Sequence, residues 1–490
     1  MPSPSMSVPS QPSLSADDAV SPSQIDASCR LAVLGLFVGA ALWLAIGTAL
    51  WLVASLKLIG PDFLSHCPCL TYGRVKPAAT NAFIYGFASQ AALGVALWQL
   101  CRLGRVLLTH TVVWVIGSKF WNLGVALAVF GILAGDTTGI EGFEAPRYAS
   151  PVLFVAYSVM AVCALLTFRE RREPTLYVSQ WYLLAALFSF PWLYSTAAAL
   201  LVFAPVRGVL QVVISGWFAN GLKTLWLTPL CLASVFYFLP KLTERPLHSR
   251  ALAAYGFWLL AIFGGWGGIA VGLPVPRWIP AVSTTAAGLM LIPVLAVAVN
   301  CWLTIEGNWR KLLASPALRF IAFGLVCYIV TGVMSALGAS HRLSSIRRLT
   351  SYTEAHQMLF LFGFVAMTLA GAIYYIVPRL TQQEWARPTF VNFHFGVAAA
   401  GVLLCIVTFL PASLKQGFGM ADAGKLFPEI LNSILPFIRV GTFGVILIAA
   451  GNVAFVVNLI WTCARFLAAN CPCQEWLAVS VKPATAGAAR

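Results

Sequence analysis

The chain has 490 residues, of which 60% are hydrophobic and only 10% are charged. Since soluble globular proteins carry roughly 25% charged residues, this composition excludes a soluble enzyme and predicts a protein that faces lipid over most of its surface. The formal net charge is +15, but the Lys and Arg residues lie mainly in short segments between apolar runs, where membrane topology explains them. We therefore expect a lipid bilayer around the chain and no nucleic-acid partner.

Residues 1–30 are rich in Ser and Pro and carry three Asp residues with almost no basic residue. A secretory signal needs a positive start and a short apolar core, which this segment does not have. We interpret residues 1–30 as a disordered cytoplasmic tail.

Twelve apolar runs follow, each long enough to cross a bilayer as a helix. They predict an all-α fold, a polytopic membrane protein with twelve transmembrane helices in one domain, residues 31–467, before a cytoplasmic C-terminal tail, residues 468–490. Twelve spans put both termini on one side, and more Lys and Arg residues lie in the segments on that side, which predicts cytoplasmic termini. The predicted spans are residues 31–57, 80–101, 110–134, 150–168, 177–204, 209–239, 251–273, 280–304, 317–339, 354–377, 392–411 and 436–467.

The loop at residues 135–150 is acidic, with Asp136, Glu141 and Glu144. We expect a solvated loop. The alternative is a patch that docks a basic partner.

Three polar residues inside the predicted spans need an explanation. Lys119 and Lys223 either snorkel to an interface or pair with nearby oxygens, or they serve a function, as intramembrane charges often do. His356 lies about one turn into the apolar run at residues 353–378. It is either an interfacial histidine that is hydrogen-bonded near Glu354, or a ligand to a cofactor.

Several segments resemble the catalytic subunit I of the cbb3-type haem-copper oxidases. The resemblance follows the order of that family's helices, spans roughly residues 30–410, and implies a twelve-helix subunit I-like bundle in a bacterial inner membrane. It also implies oxygen reduction with electrons from cytochrome c, coupled to proton pumping. The matching segments are residues 71–87 (TYGRVKPAATNAFIYGF), 177–181 (YVSQW), 237–246 (YFLPKLTERP), 257–258 (FW) and 353–378.

That family holds a low-spin haem, a high-spin haem and a copper ion through six histidines. On this resemblance, His356 matches the ligand of the high-spin haem, whereas the two low-spin ligands fall on Ala79 and Met358. The copper ligands fall on Ala219 and within residues 267–271, which contain no ligating side chain. The resemblance therefore implies that five of the six ligands are lost. The other five histidines lie in loops or near predicted helix ends: His66, His110, His248, His341 and His394.

The residues that remain leave the cofactor question open. Met358 is a legitimate axial ligand, but its partner position is Ala79, and His356 alone could hold a five-coordinate b-type haem. Bulky residues at 358–362 predict that the lost haem volume is refilled, whereas the glycines around Trp266 could leave space. We expect no copper and no haem, with a b-type haem on His356 as the alternative.

Lys223 lies one helical turn beyond Ala219, so both project from the same helix face. We hypothesise that its ammonium group replaces the positive charge of the missing copper.

The sequence therefore predicts a non-catalytic structural, assembly or regulatory subunit of a respiratory membrane complex. Its expected partners are other respiratory subunits, including a membrane-anchored c-type cytochrome as in the family. One alternative is a haem-dependent terminal oxidase or nitric oxide reductase with unorthodox ligands around His356. The other is a membrane channel or carrier in which Lys119 and Lys223 line a path.

Overall fold

The computed structural model of the protein describes residues 20–340, 343 and 349–470. All long regular elements in these residues are helices, and twelve of them, α1–α12, alternate in direction along the chain. They are α1 Pro22–Ile59, α2 Tyr72–Gly104, α3 Thr111–Ala134, α4 Ala149–Arg169, α5 Val178–Phe203, α6 Val209–Thr243, α7 Arg250–Gly264, α8 Trp278–Ile305, α9 Pro316–Gly338, α10 Tyr352–Thr381, α11 Pro388–Ala421 and α12 Phe427–Ala469.

Eleven of these helices are long and apolar enough to cross a membrane. The exception within the described residues is α7, which has 15 residues and ends at Gly264. The predicted span at residues 251–273 is therefore wrong beyond Gly264, and the predicted count of twelve complete spans is not reached.

The predicted ends of the membrane domain also need correction. α1 begins at Pro22, where the Ser21 hydroxyl accepts from the Gln24 N–H and the Gln24 side chain accepts from the Ser21 N–H. This capping box starts the helix within residues 1–30, the segment predicted to be a disordered tail. Residues 1–19 and 471–490, which include most of both predicted tails, lie outside the described residues.

The predicted loop between the last two spans, residues 412–435, is mostly helical. α11 continues to Ala421 and α12 begins at Phe427, so the turn is much shorter than predicted. Proline usually marks a helix end, but Pro411 and Pro436, at the two bounds of the predicted loop, both lie inside helices.

The first and last helices pack against each other. The Asn452 side chain on α12 donates to the Thr48 hydroxyl on α1 at 3.0 Å, and the Thr442 hydroxyl lies 3.5 Å from the Ser55 carbonyl. Arg30 near the start of α1 lies over the Phe466 ring near the end of α12, 5.3 Å from its centre, and Arg102 at the end of α2 donates to the Pro22 carbonyl at 2.9 Å. The start of α1 and the end of α12 therefore lie on one side of the bundle. We call the other side the distal side.

Three helices form the centre of the bundle. In the apolar stretches of α2, α6 and α10, 94%, 83% and 100% of the residues are buried, against 44–56% in the other long helices. Each of the three contains a π-helical segment: Ala82–Ala88, Leu222–Leu227 and Leu359–Ala366. π-Segments are rare and are frequently found at functional sites, so these segments direct attention to the space between the three helices.

Glycines set the close approach of α11 and α12. A Cβ atom on Gly401 would lie 2.6 Å from the Gly444 carbonyl oxygen and 2.9 Å from the Ile448 backbone nitrogen. Because both contacts are with backbone, no side-chain rotation can relieve them, and the two helix axes would have to separate.

We expect Gly401→Ala to lower the stability of the protein by about 1–3 kcal/mol through overpacking. The matched control is Gly35→Ala on α1, where a Cβ atom meets nothing within 4 Å. The thermal unfolding midpoint in mild detergent checks the difference. Equal midpoints for the two variants would show that α11 and α12 do not pack as closely as described.

Candidate functional site

Two adjoining cavities lie between the central helices on the distal side. The smaller has a volume of about 300 Å³ and the larger about 440 Å³. They are lined in common by Glu141, Ala219, Lys223, Thr353 and His356. The two residues that the sequence singled out most strongly, His356 and Lys223, thus share one site.

The π-helical segments of α2, α6 and α10 contribute to the wall of the smaller cavity, whereas a fourth segment, Ala199–Phe203 at the end of α5, does not. A π-turn adds a residue to the helical turn, so it shifts the side chains that follow and widens the helix locally. The cavity is lined from these segments by Ile84, Tyr85, Leu222, Lys223, Leu227, Phe360 and Leu361.

An ion pair joins α2 to α10 at the edge of the smaller cavity. The Lys76 ammonium lies 2.7 Å from both carboxylate oxygens of Glu354, and the side chains are only 17% and 20% exposed. The same ammonium lies 3.9 Å from the centre of the Trp51 ring on α1, a cation–π contact. Three helices are therefore held together by one charged group.

The loop between α3 and α4 folds into the site instead of extending into solvent. The Glu144 carboxyl accepts from the Gly142 N–H at 2.9 Å and from the Asn81 side chain at 3.1 Å. Burial raises the pKa of Glu144 above its usual value. The hydrogen bonds from the Gly142 N–H, from the Asn81 side chain and from the backbone of Glu144 itself act in the opposite direction. The prediction of a solvated loop is wrong for Glu144, whereas Asp136 and Glu141 are exposed.

His356 is half-buried, and its Nε2 atom lies 2.7 Å from the Ser335 hydroxyl on α9. The roles of donor and acceptor depend on the tautomer. The expectation of a hydrogen-bonded histidine is met by Ser335; Glu354, suggested as a neighbour, pairs with Lys76 instead.

The break that ends α7 is stabilised by side chains of α6. The Asn220 amide and the Thr224 hydroxyl donate to the Gly264 carbonyl at 2.9 and 3.0 Å, and the Trp217 ring N–H donates to the Gly265 carbonyl at 3.0 Å. Carbonyls at a helix end have no partner within the helix, so α6 supplies them.

The chain after the break is irregular until α8 begins at Trp278. Residues 268–271 line the larger cavity, and the Ile269 N–H donates to the Ser283 hydroxyl on α8 at 3.0 Å. Gly268 has φ +96°, and a Cβ atom there would lie 2.6 Å from Asn220 Cβ, so this close crossing requires glycine.

On the other face of α10 the space is filled. Ala79 and Met358 are fully buried. The Phe362 ring lies 4.7 Å from Phe83 and 5.1 Å from Trp51, measured between ring centres. The expectation that bulky residues occupy this volume therefore describes the Met358 side of α10, but the His356 side keeps its cavities.

The two intramembrane lysines lie in different environments. Lys223 is half-buried and lines both cavities. Lys119 is exposed on α3 beside the apolar residues Ile116, Phe120 and Leu123 and lines neither cavity. This arrangement does not support the alternative in which both lysines line one path.

Lys76 and Ser335 were missed, and Glu354 was considered only as a neighbour of His356. These residues come from helices that are adjacent only in the fold. Lys76 and Glu354 lie near the starts of α2 and α10, and opposite charges at the same end of two spans are a signal that could have paired them. His394, expected near a helix end, is buried on α11 with its Nδ1 atom 2.9 Å from the Tyr374 hydroxyl. His394 lines neither cavity.

Comparison with known proteins gives consistent matches over most of the chain. The family model described as cytochrome C and quinol oxidase polypeptide I matches residues 31–447. A cytochrome c oxidase subunit 1 homolog of Azorhizobium caulinodans is 26% identical over 436 residues, which are 84% of this chain and 78% of that protein. The cbb3-type cytochrome c oxidase subunit CcoN1 of Stutzerimonas stutzeri is 25% identical over 406 residues, 80% of this chain and 86% of that protein.

A solved structure of a heme-copper terminal oxidase dimer has a TM-score of 0.68 against this chain at 15% identity. The superposition covers 88% of this chain and 84% of the other chain. At this identity the match establishes a shared fold.

We expect Lys76→Met and Glu354→Gln each to cost about 1–3 kcal/mol, because each leaves one mostly buried charge without its partner. The double variant should lose less than the sum of the two single losses, which a double-mutant cycle of thermal midpoints measures. The control is Glu244→Gln, which removes an ion pair of equal length, 2.7 Å, between more exposed side chains; we expect no measurable change. Additive losses for Lys76 and Glu354 would show that the pair is not coupled.

Glu144→Gln should change how stability depends on pH. Since the folded state raises the pKa of Glu144, folding favours its protonated form, and the wild-type protein loses stability as pH rises from the ordinary Glu pKa through the raised one. Glutamine has no proton to lose, so the variant should match the wild type at about pH 4 and exceed it at about pH 8. Thermal midpoints measured for both proteins across that range test this; a constant offset at all pH values would contradict it.

Proposed function

The chain belongs to the cytochrome c and quinol oxidase polypeptide I family, and we propose that within this family it is a non-catalytic subunit of a respiratory membrane complex. Family membership and the shared fold confirm the resemblance seen in the sequence and the all-α subunit I-like bundle. The role that we propose is structural, assembly-related or regulatory. The proposed location is the bacterial inner membrane, with both termini cytoplasmic.

The observation that carries the proposal is the break in α7. The resemblance puts two copper ligands within residues 267–271, and these residues are not helical and have no ligating side chain. The third position, Ala219, has only a methyl group. Copper requires nitrogen or sulfur donors, and within the described residues no three His, Cys, Asp or Glu side chains come together. The residues therefore do not fit copper.

The low-spin haem position is equally unfavourable. Ala79 offers no ligand, and the rings of Trp51, Phe83 and Phe362 pack against one another beside Met358. A haem between α2 and α10 would have to displace these rings, at the energetic cost of disrupting a close-packed core.

At His356, the ring nitrogen Nε2 already has the Ser335 hydroxyl as its partner. Without a second metal and without a low-spin haem, no arrangement of these residues supports electron delivery to oxygen. We derive no catalytic step for this site.

The proposed partners follow from what the relatives are. The names of the similar proteins describe subunits of cytochrome c oxidases, and members of this family work within multi-subunit respiratory complexes. We therefore propose other respiratory subunits as partners of this chain, including a membrane-anchored c-type cytochrome.

One alternative function is favoured by a specific observation. The cavities beside His356 give space on that side of α10, which favours a five-coordinate b-type haem on His356 and a haem-dependent oxidase or nitric oxide reductase. The carrier alternative is supported by the α7 break, since transporter sites often use interrupted helices. Lys119 does not support it, because its side chain lines neither cavity.

We expect the protein purified in mild detergent to show no haem bands in its reduced-minus-oxidised spectrum and no copper by metal analysis. A stoichiometric b-type haem that is lost in His356→Ala but kept in His110→Ala would overturn the proposal. His110 precedes α3 and lines neither cavity, so it controls for nonspecific haem binding by histidine.

We also expect an affinity-tagged chain to co-purify with respiratory subunits, including one that stains for covalently bound haem. The measurement is native mass determination of the detergent-solubilised sample, followed by identification of its chains. Recovery of the tagged chain alone, from membranes in which the oxidase is fully assembled, would contradict the role as a subunit.

A further inference from the structure

We propose that the larger cavity, which we call the polar cleft, binds a small molecule through an anionic oxygen group. The source is either a soluble carboxylate or phosphate, or the headgroup of an anionic lipid. The inference rests on the proposed function, because it requires that no haem or copper occupy the space beside His356.

The polar cleft has the size of a binding site rather than of a packing defect. Its volume is about 440 Å³, within the range of ligand pockets. It lies on the distal side between α6, the irregular chain after α7, α8, α9 and α10. A cavity of this size with polar walls at the edge of a bundle is not energetically tolerable unless water or a ligand occupies it.

The walls of the polar cleft offer mainly hydrogen-bond donors. The Lys223 side chain reaches it from α6, and an ammonium group has three N–H donors and no acceptor. Ser283 and Thr284 line it from α8, whereas the Ser215 hydroxyl on α6 already donates to the Val212 carbonyl at 3.1 Å. The Ser283 oxygen accepts from the Ile269 N–H, so its own O–H remains able to donate toward the cleft.

The backbone after the α7 break adds two further donors. Gly268 and Ala270 line the polar cleft, and within the described residues no backbone acceptor receives their N–H groups. Gly268 is exposed, so water can serve its N–H group, whereas Ala270 is half-buried and a group in that position usually has a partner. Backbone N–H groups exposed in irregular segments commonly bind anions, so a bound oxyanion would satisfy both.

The charge balance of the cleft wall favours an anion. Glu141 is the acidic residue among the described residues of the wall, and it is exposed, so solvent screens it more than it screens the half-buried Lys223.

The test measures the thermal midpoint of the protein in phosphatidylcholine nanodiscs, titrated with sodium phosphate at constant ionic strength. We expect the midpoint to rise and to saturate, as ligand binding to the folded state requires. The rise should be lost in Lys223→Met and kept in Lys119→Met, whose side chain lines neither cavity. In a second arm, phosphatidylglycerol nanodiscs without phosphate should raise the midpoint through Lys223 if the source is a lipid headgroup.

Phosphate also stabilises proteins nonspecifically by exclusion from their surface. An equal rise in wild type, Lys223→Met and Lys119→Met therefore overturns the inference, as does the absence of a rise with either probe. If Lys223→Met does not fold, the wild-type protein is labelled with an amine-reactive reagent. Phosphate or phosphatidylglycerol should then slow modification of Lys223 about tenfold at about ten times Kd, with Lys119 unaffected. Equal labelling rates with and without the probe would overturn the inference.

The absorption spectrum of the same sample separates this inference from the proposed function. Stoichiometric haem would refute the proposed function whatever the titration shows. A haem-free and copper-free protein without a Lys223-dependent effect refutes only the anion site.

Discussion

The rest of this structure depends on one requirement of the bilayer: each backbone N–H and C=O group within it must have a partner in the protein or line a cavity that supplies one. α7 breaks at Gly264, which leaves the last carbonyls of that helix without helical partners. Three side chains of α6 donate hydrogen bonds to these carbonyls, and the irregular chain that follows turns toward a polar cavity and α8. The residue types on α6, the hydroxyl of Ser283 and the open space beside His356 are therefore parts of one solution to that requirement.

The bundle keeps the central helices of its family but uses the space between them in two opposite ways. On the Met358 face of α10, aromatic rings from α1, α2 and α10 close the interior. On the His356 face, cavities remain, bordered by the ion pair of Lys76 with Glu354 and by the folded-in Glu144. The packing of the Met358 face therefore indicates a filled interior, whereas the polar residues of the His356 face indicate an open site. The interior is well filled where apolar contacts can stabilise it, and open where buried charges need partners or water.

The sequence predicted most of the fold because long apolar runs are a direct signal of membrane helices. It failed where that signal carries no information about backbone geometry. Residues 265–273 are as apolar as a helix, yet their glycines and the capping side chains of α6 stop α7. The opposite error occurs at residues 412–435, where α11 and α12 continue through Pro411 and Pro436 into the predicted loop. His356 and Lys223 were identified as site residues because intramembrane polar groups are rare, but the pairing of Lys76 with Glu354 and the inward position of Glu144 depend on which helices become neighbours.

The contact of α12 with α1 has a consequence for how the protein is made. The two helices that touch through Asn452 and Thr48 are separated by nearly the whole chain, so during synthesis α1 enters the membrane long before its neighbour exists. Until then, the face of α1 that α12 will cover must be shielded by lipid, by an insertion factor or by another subunit. Completion of the bundle must therefore wait for the insertion of α12, and a product lacking α12 would leave this face of α1 without its protein neighbour.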